Sequence, residues 1–134
     1  MRVLSWNIRG LGSRVKKRFL IKIIKDRRPD ITFIQESKLE QVELSDYQRF
    51  WGNLGVAGVF SKSDGASGGL ISMWNTDIFR LEQSIIHKHF ILIKGYLFND
   101  FHCVLVNIYA PNDTSSRRRL WEEILLIKQS CHLP

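Results

Sequence analysis

Cysteine is scarce in this 134-residue chain, which holds two, Cys103 and Cys131. They stand far apart without metal-ligand spacing, so neither a disulfide framework nor a zinc site is expected. No apolar run approaches the ~20 residues that span a bilayer, and Met1 leads into a polar-flanked strand pattern rather than a cleavable signal. A soluble, intracellular protein is the expectation. Proline is rare too, at three residues, and no internal repeat, low-complexity tract or linker divides the chain. With 44% hydrophobic content, residues 1–134 suit one domain with one core and are too few for two ordinary ones.

Positive charge is abundant and unevenly placed. The net charge is +7, yet residues 1–28 carry ten Lys and Arg against one acid, whereas the remainder carries ten against twelve. Such a segment suits a polyanionic partner, because cations that neutralise phosphates release counterions and gain affinity. It equally suits a solvated helix face, and charge alone leaves both open.

Arg2 to Asn7 forms a short apolar-rich run closed by Gly10 and Gly12, as a strand ending in a tight loop does. Ser13 then fits an N-cap. Val15, Phe19, Leu20, Ile23 and Ile24 recur at helical spacing until Pro29 stops the run. Arg14, Arg18, Lys22 and Lys25 fall on another face of that helix. Ile31 to Ile34 gives a second strand, and strand–helix–strand predicts a parallel, right-handed crossover. After a polar stretch from Ser37 to Asn53, strands of antiparallel character are expected at 56–61, 69–74, 78–84, 89–98 and 101–109. Asn99 and Asp100 predict a two-residue hairpin turn between the last two, with both central residues at positive φ. Pro111, Asn112 and Asp113 break the last strand. Leu120, Trp121, Ile124 and Leu125 then mark a final amphipathic helix, and Trp6 and Trp121, at patterned positions, are expected in the core.

Polar groups collect where strands end. Asn7 closes the first strand, Glu36 follows the second and Tyr109 stands near the close of the hairpin strand. Parallel neighbours lie about 4.8 Å apart, so Asn7 and Glu36 should meet at the carboxyl edge of the sheet, where open α/β sheets place ligands. A hard carboxylate with an amide oxygen beside it suits Mg²⁺, which takes one or two carboxylates and leaves positions for water and a substrate phosphate. Taken singly, Asn7 can be a loop-former, Glu36 a surface acid and Tyr109 a packed strand end.

The strings carrying these residues extend the pattern. Leu4-Ser5-Trp6-Asn7-Ile8-Arg9-Gly10, Ile34-Gln35-Glu36-Ser37-Lys38, Ser67-Gly68-Gly69-Leu70 and Val106-Asn107-Ile108-Tyr109-Ala110-Pro111-Asn112 resemble, in order, four motifs of the endonuclease/exonuclease/phosphatase superfamily. Their spelling is most similar to the endonuclease domain of plant LINE-type (non-LTR) retrotransposons. That resemblance implies an α/β fold, the N-terminal half of a four-layer α/β sandwich with a mixed sheet and flanking helices. It implies a Mg²⁺-dependent phosphodiester hydrolase acting on DNA, with Mn²⁺ a possible substitute. Asn7, Glu36 and Tyr109 would be the catalytic group, Glu36 and Asn7 the metal site, and Asn112 and Lys38 phosphate contacts. Arg9 stands where the apurinic-site repair branch carries an acid, which argues against abasic repair. The family's later Asp-x-Asn and Asp-His motifs do not follow Tyr109, so the isolated chain is expected to be inactive, to supply one sheet and to lack the partner sheet. Its exposed apolar face would then make it marginally stable. A lipid or inositol phosphatase and a non-catalytic polyanion-binding remnant are the alternatives. A nuclear setting follows from the retroelement likeness and the basic charge alone.

Overall fold

The computed structural model describes residues 1–134. β1 (Val3–Asn7) leads through a loop to α1 (Arg14–Arg27), then to β2 (Ile31–Gln35), α2 (Leu44–Trp51), β3 (Val56–Ser61) and β4 (Leu70–Asn75). β5 (Phe79–Ile86), β6 (Phe90–Leu97), β7 (Phe101–Ile108) and α3 (Thr114–Cys131) complete the chain. β1 and β2 run parallel, with Asn7 opposite Gln35, as the crossover predicts. β4 joins β2 and β3 antiparallel, giving a four-stranded mixed sheet in the order β1-β2-β4-β3.

The expectation of a single sheet without its partner is corrected, because β5-β6-β7 forms a second, three-stranded antiparallel sheet. After β4 the chain leaves the first sheet through a turn in which Asn75 Oδ1 accepts the Asp77 N–H at 2.9 Å. All five residues of β2 are buried and so are five of the six in β4, so both faces of the first sheet need a cover. Ile34, Ile71 and Met73 pack under α1 and α2. Ile31, Phe33 and Trp74 meet Phe79, Ile91 and Ile93 of the second sheet. Phe90 and Leu92, on its outer face, pack against Leu120 of α3. The order is helices, sheet, sheet, helix, and the apolar face expected to make the fold marginal is covered within the chain.

Local differences have identifiable causes. Ser13 caps α1 as expected, accepting the Lys16 N–H at 3.2 Å, but only Leu20 and Ile24 are buried in this helix. Val15 and Phe19 lie exposed, Phe19 tilting against Trp6 at the rim of the core. Trp121 is exposed too, since α3 contacts the second sheet through Leu120, Ile124 and Ile127. The polar stretch conceals α2, which sends Tyr47 and Phe50 into the core. The expected two-residue turn is corrected to a three-residue loop, 98–100, because Leu97 pairs with Phe101. Phe98 and Asn99, not Asn99 and Asp100, take positive φ. A one-residue shift would flip every side chain of β7 to the other face, so the demands of the core set the register over turn preference.

Candidate functional site

The carboxyl ends of β1 and β2 are zipped together beyond the ladder. Ile8 N–H donates to the Gln35 carbonyl at 3.1 Å, Gly10 to Glu36 at 2.7 Å and Leu11 to Ser37 at 2.8 Å. From the other side, Ser37 and Lys38 donate to the carbonyls of Gly69 and Gly68 at 3.1 and 2.8 Å. Gly69 is required there. Its φ is +94°, and a Cβ would lie 2.3 Å from Ser37 Oγ.

Strand alternation alone would aim Glu36 wrongly. Gln35 points between the sheets, bonding to Asn107 of β7, so a continued strand would turn the next side chain toward α1. Glu36 instead adopts φ +53°, a left-handed conformation that costs a non-glycine residue about 1 kcal/mol or more. Its carboxylate thereby returns to the inter-sheet side, where Tyr109 Oη donates to Glu36 Oε1 at 2.6 Å. That hydrogen bond, then burial and the Glu36 charge, raises the Tyr109 phenol above its ordinary value, while the nearby Arg9 guanidinium opposes the shift. Tyr109 is anchored through its backbone, donating to the His89 carbonyl at 2.9 Å. Burial lowers the imidazole of His89, helped by the charges of Lys88 and His87.

Glu36 and Tyr109, two of the three residues expected in the catalytic group, are therefore in direct contact. Asn7 ends the adjacent strand, exposed, and shares the inter-sheet side with its register partner Gln35. Lys38 has φ +56°, and its side chain crosses Gly10, where a Cβ would lie 3.4 Å from Lys38 Cδ. Asn112 sits in the loop after β7, exposed. Its carbonyl and that of Pro111 accept two bonds of 2.7 Å from the Arg117 guanidinium, and its side chain takes no part in the Glu36–Tyr109 pair.

Three participants do not stand out in the sequence. Arg9 reads there only as a departure from one branch, yet its charge acts on Tyr109. Gln35 and Asn107, buried at 8% and 1% exposure, bond to each other between the sheets directly behind the pair. Their signal is the placing of amides in strand phase with the inward residues Phe33 and Cys103.

The donors at this edge are hard oxygens. Glu36 Oε2 accepts no hydrogen bond from the chain, the Asn7 carboxamide is solvent-accessible, and no cluster of three His, Cys, Asp or Glu side chains occurs anywhere. This set fits a cation that draws most of its coordination from water and substrate, as Mg²⁺ does, and not one requiring a full protein cage.

A helix-flanked pair of sheets with a carboxylate and a phenol in contact at one edge fits the class, and the chain belongs to the Endonuclease/Exonuclease/phosphatase family, whose model matches residues 4–133. Its sequence is 26% identical to the exodeoxyribonuclease of Bacillus subtilis (strain 168), a match covering 94% of this chain and 51% of that protein. Among solved structures, the endonuclease domain of TRAS1, a telomere-specific non-LTR retrotransposon, superposes with a TM-score of 0.68 at 17% identity. That superposition covers 96% of this chain and 54% of the other. TDP2 from Caenorhabditis elegans gives a TM-score of 0.66 at 19% identity over 98% of this chain and 42% of its own. The chain thus spans about half the length of the curated relative it matches, and at these identities the structural likenesses establish the fold.

Proposed function

We propose that this edge binds a divalent cation, Mg²⁺ or in its place Mn²⁺, together with a phosphate of a DNA backbone, as the binding half of a retrotransposon-type endonuclease site. The supporting observation is the convergence of Glu36 and Tyr109 at 2.6 Å beside the end of β1. Glu36 Oε2 and the Asn7 carbonyl oxygen are the metal donors. The cation, when bound, supplies charge stabilisation to the non-bridging oxygens of the phosphate. Tyr109 holds the orientation of Glu36 and presents its ring at the mouth of the site. Lys38 and Arg9 add positive charge beside it, and Asn112 offers a carboxamide from the opposite loop. Residues 1–134 show no Asp-x-Asn or Asp-His string after Tyr109, so binding is the share of the reaction assigned to these residues.

DNA is favoured over a lipid or inositol phosphate by α1. Arg14, Arg18, Lys22 and Lys25 are all exposed along it, an extended row that suits a long polyanion better than one headgroup. A nuclear setting belongs with that substrate. The test is paramagnetic broadening by Mn²⁺. Amide and side-chain signals of Glu36 and Asn7 should broaden first, and Glu36→Gln should remove the effect. Broadening centred elsewhere, or unchanged in Glu36→Gln, would defeat the assignment. Binding of duplex DNA that weakens steeply with salt, without any Glu36-dependent cation site, would leave a polyanion-binding module instead.

A further inference from the structure

Two polar rungs cross between β7 and β2 at the carboxyl edge. The outer rung is Tyr109 to Glu36. The inner rung lies two residues back along β7 and one back along β2, where Gln35 Nε2 donates to Asn107 Oδ1 at 2.8 Å. Asn107 Nδ2 in turn donates to the Ile71 carbonyl at 2.9 Å and to Ser72 Oγ at 3.2 Å, both on β4. Gln35 Nε2 also reaches Ser5 Oγ on β1 at 3.1 Å. One carboxamide thus ties the second sheet to two strands of the first, and through Gln35 to a third.

Packing alone does not call for this arrangement. The same inter-sheet layer is filled by Ile31, Phe33, Leu70 and Ile93, and an apolar pair of matching shape in place of two hydrogen-bonded amides is commonly neutral for stability. What amides add is directionality. Apolar faces slide past one another with little change in contact, whereas a 2.8 Å bond with fixed donor and acceptor does not tolerate a shift of one residue, about 3.3 Å along a strand. The outer rung needs that precision, because Glu36 and Tyr109 come from different sheets.

We propose that Asn107, acting through Gln35, is a positioning residue that sets the separation and orientation of Glu36 and Tyr109, and so the geometry in which Glu36 presents its free oxygen. The consequence for a cation rests on Glu36 being its ligand; the positioning itself does not. The outer rung is observable directly, since the 2.6 Å bond holds the Tyr109 ring and the Glu36 side chain within through-space NMR contact.

The experiment measures through-space NMR contacts between the Tyr109 ring and the Glu36 side chain of the full chain at constant neutral pH, in wild type, Asn107→Leu, Gln35→Leu and Ser72→Ala. Contacts of Tyr47, which packs in the other core layer, are the internal control. In Asn107→Leu and Gln35→Leu the Tyr109–Glu36 contacts are expected to be lost while those of Tyr47 are unchanged. The affinity for Mn²⁺ at Glu36 should drop about 10- to 100-fold, the usual effect of losing an outer partner of a metal ligand. Ser72→Ala, which removes one Asn107 partner and leaves the backbone intact, should weaken the contacts by a smaller amount. It serves as the test if the leucine variants do not fold. Tyr109–Glu36 contacts unchanged in every folded variant overturn the proposal. Their absence in wild type overturns it as well, since there would be no outer rung to position. If the contacts respond as expected but wild type shows no Glu36-dependent cation binding, the positioning role stands and the metal assignment fails.

Discussion

At the scale of single residues, backbone conformation governs the site as much as side-chain identity. Arg9, Glu36 and Lys38 all have φ between +53° and +56°, and each lies just beyond the end of β1 or β2. Asn7, Glu36 and Tyr109 were legible because apolar runs stop at them. The left-handed turn at Glu36 was not legible, since nothing in a glutamate specifies it. Gln35 and Asn107 escaped for a related reason. β2 is buried on both sides and β7 lies between the first sheet and α3, so no apolar–polar alternation marks the inward phase. Phe98 shows the cost of such backbone demands in isolation. It holds φ +52° with its ring half exposed, so Phe98→Gly is expected to stabilise the fold by about 1 kcal/mol. Urea unfolding measures this, and a destabilised variant would mean that the ring contributes more than the backbone loses. Tyr109→Phe removes the outer hydrogen bond while keeping the ring. It should leave stability within about 1 kcal/mol and weaken the immobilisation of Glu36, seen as greater side-chain mobility in NMR relaxation.

Among the elements, α3 is held at its start by two devices. Asp113 caps it, accepting the Ser116 N–H at 2.8 Å, and bonds from Ser116 and Ser115 lower its carboxyl to about 2. A depressed acid contributes its stabilisation in full above its unfolded value, 3.8, and loses it as pH falls toward about 2. The first turn of α3 should therefore fray between those values, detected as faster amide exchange at Ser116 and Arg117. Asp113→Asn, a capping residue without a titrating carboxyl, should abolish that pH dependence; fraying that persists in this variant would place its origin elsewhere. Arg117 is the second device, clamping the Pro111 and Asn112 carbonyls. Arg117→Ala should raise exchange across 110–113 and leave the sheets unaffected. The sequence announced α3 by its apolar spacing and α1 by its cap. It hid α2, whose eight residues are too few for helical periodicity to emerge from a polar stretch.

For the molecule as a whole, the charge map and the layer order carry different weights. On the proposed reading, the basic row on α1 would give affinity for polyanions independent of the site. Arg14→Glu with Arg18→Glu should reduce the slope of log affinity for duplex DNA against log salt by about one for each phosphate no longer neutralised, with the Tyr109–Glu36 contact unchanged. An unaltered slope would return α1 to the status of a solvated face. The strand positions were legible along nearly the whole chain, yet their division between two sheets was not. The turn at Asn75–Asp77 looks like any hairpin connection, and only the need to cover both faces of β2 and β4 sends β5 away from its neighbour. The resulting sandwich is uneven, four strands against three, with β1 at the rim and Val3, Ser5 and Asn7 exposed along one side. This overhang forms a shelf leading to the carboxamide of Asn7. On the proposed reading, a DNA backbone would reach Asn7 from this flank of β1.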